Sequence, residues 1–493
     1  MRTAEGDGRT VGSTGEAGAH GGGRSARSAR APGSEGVVET GAMFTRLRIE
    51  NFKAWRDTGS IRLAPLTVFF GPNSSGKTSL LQFLLLLKQT MESPDRKQAL
   101  NLGGSHSYID FGSWSDLLFG GDTSRGLRFG FEWRVPNELG SEVRGSSGLL
   151  DGTLLSFSAE IGSTNLAPIG VREFRYTISE PWWIGMHHNP GTRSYELIPP
   201  GAFGPPSRRN QAPSAPRRFY GFPEEVPNAL AEDCEFLLER QLDSTHYLGP
   251  IREAPERRYT WSGEAPANVG FFGENAVAAL LAAQERVLDS SDGQRILFGE
   301  LLARWLVRMG LLESFEAKPI GAETSLYRVM VRTPGSRQPV NLTDVGFGVS
   351  QVLPVLVQLL YAEPDTTLMF EQPEIHLHPR VQSELADLFI EAIQMRQDDK
   401  PRSIQCLVES HSEHFLRRLQ RRIAEGKLTV DQTALYFCKP GPDGSTIEEL
   451  QIDKYGRISN WPEDFFGDAM GDTEQQMDTM LRRMEQEEPN ASG

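Results

Sequence analysis

Residues 71–78 read Gly-Pro-Asn-Ser-Ser-Gly-Lys-Thr, and this G-x-x-x-x-G-K-[ST] pattern is a phosphate-binding loop in its required setting. The apolar run Leu66-Thr-Val-Phe-Phe70 precedes it, and the helical run Ser79 to Lys88 follows. Glycines at both ends let successive backbone N–H groups turn toward phosphate oxygens, and the helix start adds partial positive charge. The expected nucleotide contacts are Gly71, Pro72, Asn73, Ser74, Ser75, Gly76, Lys77, Thr78 and Ser79, with Lys77 reaching the β- and γ-phosphates of ATP. Thr78 is expected to offer its hydroxyl to Mg²⁺.

Such a loop needs a distant carboxylate, and Thr367-Leu-Met-Phe-Glu-Gln-Pro-Glu-Ile-His-Leu-His-Pro379 supplies Glu371 at the end of an apolar strand. Glu371 is therefore the expected second metal residue, at the position known as Walker B. A further strand, Ile404 to Glu409, runs out at His411, whose imidazole suits a γ-phosphate or an attacking water. Asp344-Val-Gly-Phe-Gly-Val-Ser-Gln351 places Gly348, Ser350 and Gln351 at a helix start, a second anion-binding candidate. His376 and His378 lack a third ligand in their loop, which argues against zinc.

The elements that must position these residues alternate strand and helix, which implies an α/β fold with a parallel, doubly covered sheet. Helices are expected over about 227–242, 274–288, 294–311, 381–393 and 413–425, and another begins at Ser350, with Pro354 acceptable in its first turn. The proposed organisation is a tail over 1–42, an N-terminal ATPase lobe over 43–120, a mixed α+β insert over 121–340, a C-terminal lobe over 341–435, and an appendage with an acidic tail over 436–493. Pro199 to Pro216 is expected to be an extended loop. No heptad pattern is sustained, so no long coiled coil is expected.

Residues 1–42 carry almost no large apolar side chain and are expected to be disordered. Met43, just before the first strand pattern, is a candidate start, and a transit peptide is the competing view of the arginines that precede it. The chain of 493 residues has net charge −14, and seven of those charges come from the stretch Glu463 to Glu488. That balance argues against general DNA coating but leaves room for a local basic face. Arg417, Arg418, Arg421 and Arg422 are the candidate DNA contact, with a solvated helix face as the plainer reading. Three scattered cysteines and the lack of an apolar run near ~20 residues lead to the expectation of reduced thiols, no membrane span and a cytoplasmic protein.

The order of motifs resembles the ABC-type ATPases of the SMC, RecF and OLD (overcoming-lysogenization-defect) kind. The residues that carry the likeness are Ile49-Glu-Asn-Phe-Lys-Ala-Trp55, the 71–78 loop, Gly346-Phe-Gly-Val-Ser-Gln351, Glu371-Gln-Pro-Glu-Ile-His-Leu-His-Pro379 and Glu409-Ser-His-Ser-Glu-His414. Tyr247-Leu-Gly-Pro-Ile-Arg-Glu253 and Ile452 to Phe466 resemble a prokaryotic subfamily of AAA-type ATPases that ends in an uncharacterised C-terminal domain. The resemblance implies an ABC-like head that forms a homodimer around two ATP molecules, with Ser350 and its glycines of one copy capping the γ-phosphate at Lys77 of the other. It implies a protein effector and a place in genome maintenance or anti-phage defence.

One residue departs from that pattern. The catalytic glutamate after the Walker B acid is Gln372 here, and an amide cannot accept water's proton. Glu374 or His411 is left to assist, or hydrolysis is slow and the ATP state persists. A nucleotide-locked DNA clamp with incidental hydrolysis is the alternative function. The OLD nuclease centre needs a D-x-D pair, and none follows His411, so no nuclease is expected in this chain.

Overall fold

The computed structural model describes residues 42–104, 107–136, 150–179, 181–199, 212–226, 228–289, 293–321, 325–398, 400–462 and 475–483. All but the last residue of the expected N-terminal tail, most of the proline-rich loop and most of the acidic tail therefore lie outside the described residues.

A six-stranded sheet organises the head, in the order Thr245–Leu248, Thr367–Glu371, Gln405–Glu409, Leu66–Phe70, Thr433–Lys439, Thr446–Glu449. The first five strands are mutually parallel and the last returns antiparallel. Three of the four inner strands, LTVFF, TLMFE and QCLVE, are buried at every residue. Continuous apolar runs of this kind belong in a sheet covered on both faces. Alternation then divides them: Val68, Phe370, Cys406 and Leu435 enter one core, whereas Phe69, Met369, Leu407 and Tyr436 enter the other.

The helices Phe347–Tyr361, Pro379–Gln394 and Glu413–Ala424 bury their apolar residues in the first core. Lys77–Glu92 and Ala229–Asp243 bury theirs in the second. The second core also packs against an eight-stranded antiparallel sheet, ordered Trp55–Asp57, Met43–Phe52, Leu127–Arg134, Leu154–Gly162, Gly170–Ser179, Trp182–Asn189, Ser194–Ile198, with Ile61–Arg62 paired to Met43–Phe52. Its inner face is aromatic, with the rings of Phe157 and Tyr176 meeting edge to face at 4.9 Å.

Three expectations change in detail. Met43–Phe52 pairs with Leu127–Arg134, so the antiparallel sheet joins the expected lobe to the expected insert; Thr245–Leu248, also from the insert stretch, edges the central sheet. Thr433–Lys439 pairs with Leu66–Phe70 and carries that sheet across residue 435. The segments expected as helices over 274–288 and 294–311 are shorter, Ala276–Ala283 and Phe298–Arg308, each flanked by a short strand, Val287–Asp289 and Arg295–Leu297. Periodicity identifies a strand but does not say which strand it pairs with.

The third helix start also moves: Phe347, not Ser350, opens the helix, which puts Pro354 inside rather than in the first turn. Its ring is accommodated by Gly273, where an added Cβ would lie 2.6 Å from Pro354. No described helix exceeds 16 residues, and none is long and apolar enough to cross a membrane.

Candidate functional site

The phosphate loop leaves its strand through Gly71, at φ +142°, where a Cβ would sit 2.2 Å from the Cys438 carbonyl oxygen. At its other end Gly76, at φ +90°, caps the helix Lys77–Glu92 and touches the Trp55 indole. Trp55 is fully buried, and its Nε1 donates to the Gly76 carbonyl (3.1 Å) and to Ser79 Oγ (2.9 Å). That is the local task of the Ile49–Trp55 segment: it braces the loop from below. Pro72, Asn73 and Ser74 are exposed, and the first helical turn holds no acid, so the positive end of the helix faces an open cradle.

Lys77 bends back into this cradle. Its Nζ donates to the carbonyls of Gly71 (3.1 Å) and Pro72 (2.8 Å) and stands 3.9 Å from Glu409 Oε1. Burial lowers its pKa, partly offset by Glu409. A buried cation held by two carbonyls, the Ser75 hydroxyl (3.4 Å) and one acid is poised for an incoming anion.

Thr78 Oγ1 donates to Glu409 Oε2 at 2.7 Å. Glu409 and Glu371 are register partners on neighbouring parallel strands, and burial raises the pKa of each, Glu371 to about 7. The Tyr247 side chain lies beside the Glu371 carboxylate, while Glu371 Oε1 is buried with no hydrogen-bond partner. Arg252, 4% exposed, donates to the carbonyls of Pro250 (3.0 Å), Gln372 (3.2 Å) and Glu371 (3.1 Å), and so clamps the turn that follows the Walker B strand. Burial brings the Arg252 pKa down to about 10.

Gln372 sits at φ +44°, donates its N–H to the Glu409 carbonyl (2.9 Å), and lies beside the Glu409 carboxylate. Glu374 is buried; Oε1 accepts from Ser410 Oγ (2.8 Å) and the His411 N–H (2.7 Å), and Oε2 has no partner. Burial raises the Glu374 pKa. His411 lies 3.9 Å from Glu409 Oε1, beside the Gly71 carbonyl, and is held neutral because burial, then Lys77, brings its pKa to about 4.

Magnesium's preference for hard oxygen donors fits what is gathered here: one hydroxyl and two neighbouring carboxylates, one of which keeps an oxygen without a partner. The structure thus brings together the 71–78 loop, Glu371, Gln372, Glu374 and His411. Among the described residues, Gly348, Ser350 and Gln351 form no hydrogen bond to that group: Ser350 Oγ donates to the Phe347 carbonyl (2.7 Å), Gly348 lies against Leu377, and the buried Gln351 Nε2 has no hydrogen-bond partner. Two residues that sequence reasoning left without a role, Glu409 and Arg252, join the site. Their signal was present in the Glu409-Ser-His and Tyr247–Glu253 segments.

The four arginines of Glu413–Ala424 do not form one basic face. Arg418 and Arg422 turn inward to Asp387 at 2.8 Å and 2.6 Å, where Arg308 also binds at 2.6 Å. Arg417 and Arg421 are exposed, on Glu413 and Glu425. Adjacent helical residues lie about 100° apart, so each doublet is split between two sides.

An AAA ATPase domain model matches residues 43–113, and an AAA domain model whose description names an AbiEii toxin of a type IV toxin–antitoxin system matches residues 214–417. A domain family described as of unknown function (DUF3696) matches residues 428–476. No curated protein matches the chain. Similar solved structures include the SMC head domain from Thermotoga maritima, 12% identical over 83% of this chain and 99% of that one, with a TM-score of 0.35. They include an Smc head bound to the C-terminal winged-helix domain of ScpA, 11% identical over 83% and 98%, TM-score 0.40. An Smc head with an extended coiled coil bound to the C-terminal domain of ScpA, from Pyrococcus furiosus, is 11% identical over 83% and 96%, TM-score 0.40.

Proposed function

We propose that this chain, an ABC/SMC-like AAA-type ATPase with AAA domains over residues 43–113 and 214–417, is a cytoplasmic switch that binds ATP, hydrolyses it slowly, and reports its nucleotide state to a second copy and to a partner protein. The observation that carries this reading is the meeting of Thr78 with Glu409 at 2.7 Å across 331 residues of chain, beside Lys77 and His411.

Each residue has a task in that scheme. The backbone N–H groups of the loop and the start of Lys77–Glu92 receive the phosphates. Lys77 exchanges its two carbonyl acceptors for phosphate oxygens. Thr78 with Glu371 and Glu409 would hold Mg²⁺, which when bound offsets phosphate charge. Gln372 orients water without taking its proton. Glu374 keeps one oxygen unpartnered and one fixed by Ser410 and the His411 N–H, an arrangement suited to a weak, indirect base. His411, neutral and beside the Gly71 carbonyl, suits a γ-phosphate contact.

Gly348 and Ser350 open the Phe347–Tyr361 helix beside the exposed Phe347, and a second copy would present them to the first copy's γ-phosphate. Control of an effector in anti-phage defence is in keeping with the toxin–antitoxin description of the matching family. The DNA-clamp alternative loses support because two of its four arginines are spent on Asp387.

The test is phosphate release together with solution mass, each with and without ATP and Mg²⁺. The parent should turn over slowly and double its mass with ATP. Gln372→Glu should accelerate release by about tenfold or more. Equal rates in the two proteins would refute the role given to Gln372, and failure to bind ATP would refute the whole.

A further inference from the structure

The geometry points to Glu409, two residues before the switch histidine, as the carboxylate that shares the divalent cation with Thr78, with the Walker B acid Glu371 standing behind it. This rests on the nucleotide-binding reading above and assigns its metal residue. Three observations carry it.

The first is strand order. Gln405–Glu409 lies between Thr367–Glu371 and the phosphate-loop strand, and Glu371, Glu409 and Phe69 share one register row. Glu409 is therefore one strand spacing from the loop strand, about 4.8 Å, whereas Glu371 is two spacings away, about 9.6 Å.

The second is hydrogen bonding. Thr78's hydroxyl, the group a phosphate loop presents to magnesium, already donates to Glu409 Oε2 at 2.7 Å. The other oxygen of Glu409 faces Lys77 Nζ at 3.9 Å and His411 Nε2 at 3.9 Å. Glu409 thus stands within 3.9 Å of Thr78, Lys77 and His411 at once. The third concerns Glu371: its carboxylate lies beside Tyr247, and its backbone carbonyl is tied to Arg252 Nη2 at 3.1 Å. That acid is anchored to the outer strand Thr245–Leu248 and its following turn, on the side away from the loop.

The consequence is a division of labour between neighbouring acids. Glu409 meets the cation, and Glu371 with its unpartnered Oε1 supports the outer shell. The experiment uses the full chain with Mn²⁺ as the probe. Electron paramagnetic resonance counts Mn²⁺ bound to ATP-loaded protein, and ATP affinity is measured separately in chelator. Glu409→Gln should weaken Mn²⁺ binding at least about tenfold while metal-free ATP affinity changes less than about threefold, and Glu371→Gln should weaken Mn²⁺ less than about threefold.

Parent-like Mn²⁺ binding by Glu409→Gln would overturn the assignment, as would a loss in Glu371→Gln equal to or larger than that in Glu409→Gln. If Glu409→Gln does not fold, Glu409→Asp carries the same comparison, because it keeps the charge and withdraws the oxygens. A parent that binds no ATP even in chelator would instead sink the nucleotide reading itself, so the two failures are distinct.

Discussion

Replacing Arg252 by Met tests the idea that a buried cation holds the catalytic turn in place. The guanidinium is 4% exposed, donates to three carbonyls at 3.0–3.2 Å, and lies among Glu371, Glu374 and Tyr247. Methionine fills most of the volume but leaves three acceptors without a donor and removes the positive charge near two buried acids. Breaking a buried, hydrogen-bonded charge from one side costs about 3–5 kcal/mol. Against a total stability of roughly 5–15 kcal/mol, the variant should still fold, with a lowered denaturation midpoint. Urea denaturation in the absence of nucleotide reads the cost directly. Arg252→Lys should recover less than half, because one ammonium cannot serve carbonyls on two sides of the turn. A loss below about 1 kcal/mol for Arg252→Met would refute the clamp, since that is the size of an ordinary surface change.

Gly71→Ala should abolish ATP binding in a fluorescent-nucleotide titration and cost about 1–3 kcal/mol of stability, because the new Cβ would meet the Cys438 carbonyl at 2.2 Å. Glu371, raised to about 7 when folded, keeps its proton in the folded state between about pH 4.3 and 7 while the unfolded chain has released it. The nucleotide-free fold should therefore lose stability as pH rises through that window, and Glu371→Gln should flatten the slope, gaining at most about 3 kcal/mol at pH 8 in denaturant titrations. Asp387→Ala leaves Arg308, Arg418 and Arg422 without their shared acceptor and should lower stability by about 2–4 kcal/mol. An unchanged melting midpoint would show that solvent replaces Asp387 at no cost.

The nucleotide centre was legible wherever its chemistry is local. The 71–78 loop encodes its own turn through Gly71 and Gly76, and Glu371 and His411 announce themselves as acid and imidazole at the ends of apolar runs. Glu409 was passed over because its importance depends on strand order: only when Gln405–Glu409 is set beside Leu66–Phe70 does its carboxylate reach Thr78. Arg252 was hidden for the same reason, since its acceptors lie at Glu371 and Gln372, about 120 positions downstream. The arginine doublets looked like one face because like charges at i and i+4 do align, but Asp387 on a neighbouring helix claims one member of each doublet. Sheet membership of Thr433–Lys439 was equally invisible, being decided by a partner strand near the other end of the chain.

That placement has a consequence for biosynthesis. Leu66–Phe70 emerges from the ribosome early, yet both strands that flank it, Gln405–Glu409 and Thr433–Lys439, follow more than about 330 residues later. At about 5–20 residues per second, its edges stay bare for tens of seconds, with the valine and phenylalanines of its apolar run open to other nascent chains. A truncated polypeptide stopping short of residue 405 would hold an intact phosphate loop on an unpaired strand, so premature termination yields an aggregating fragment rather than a half-active head.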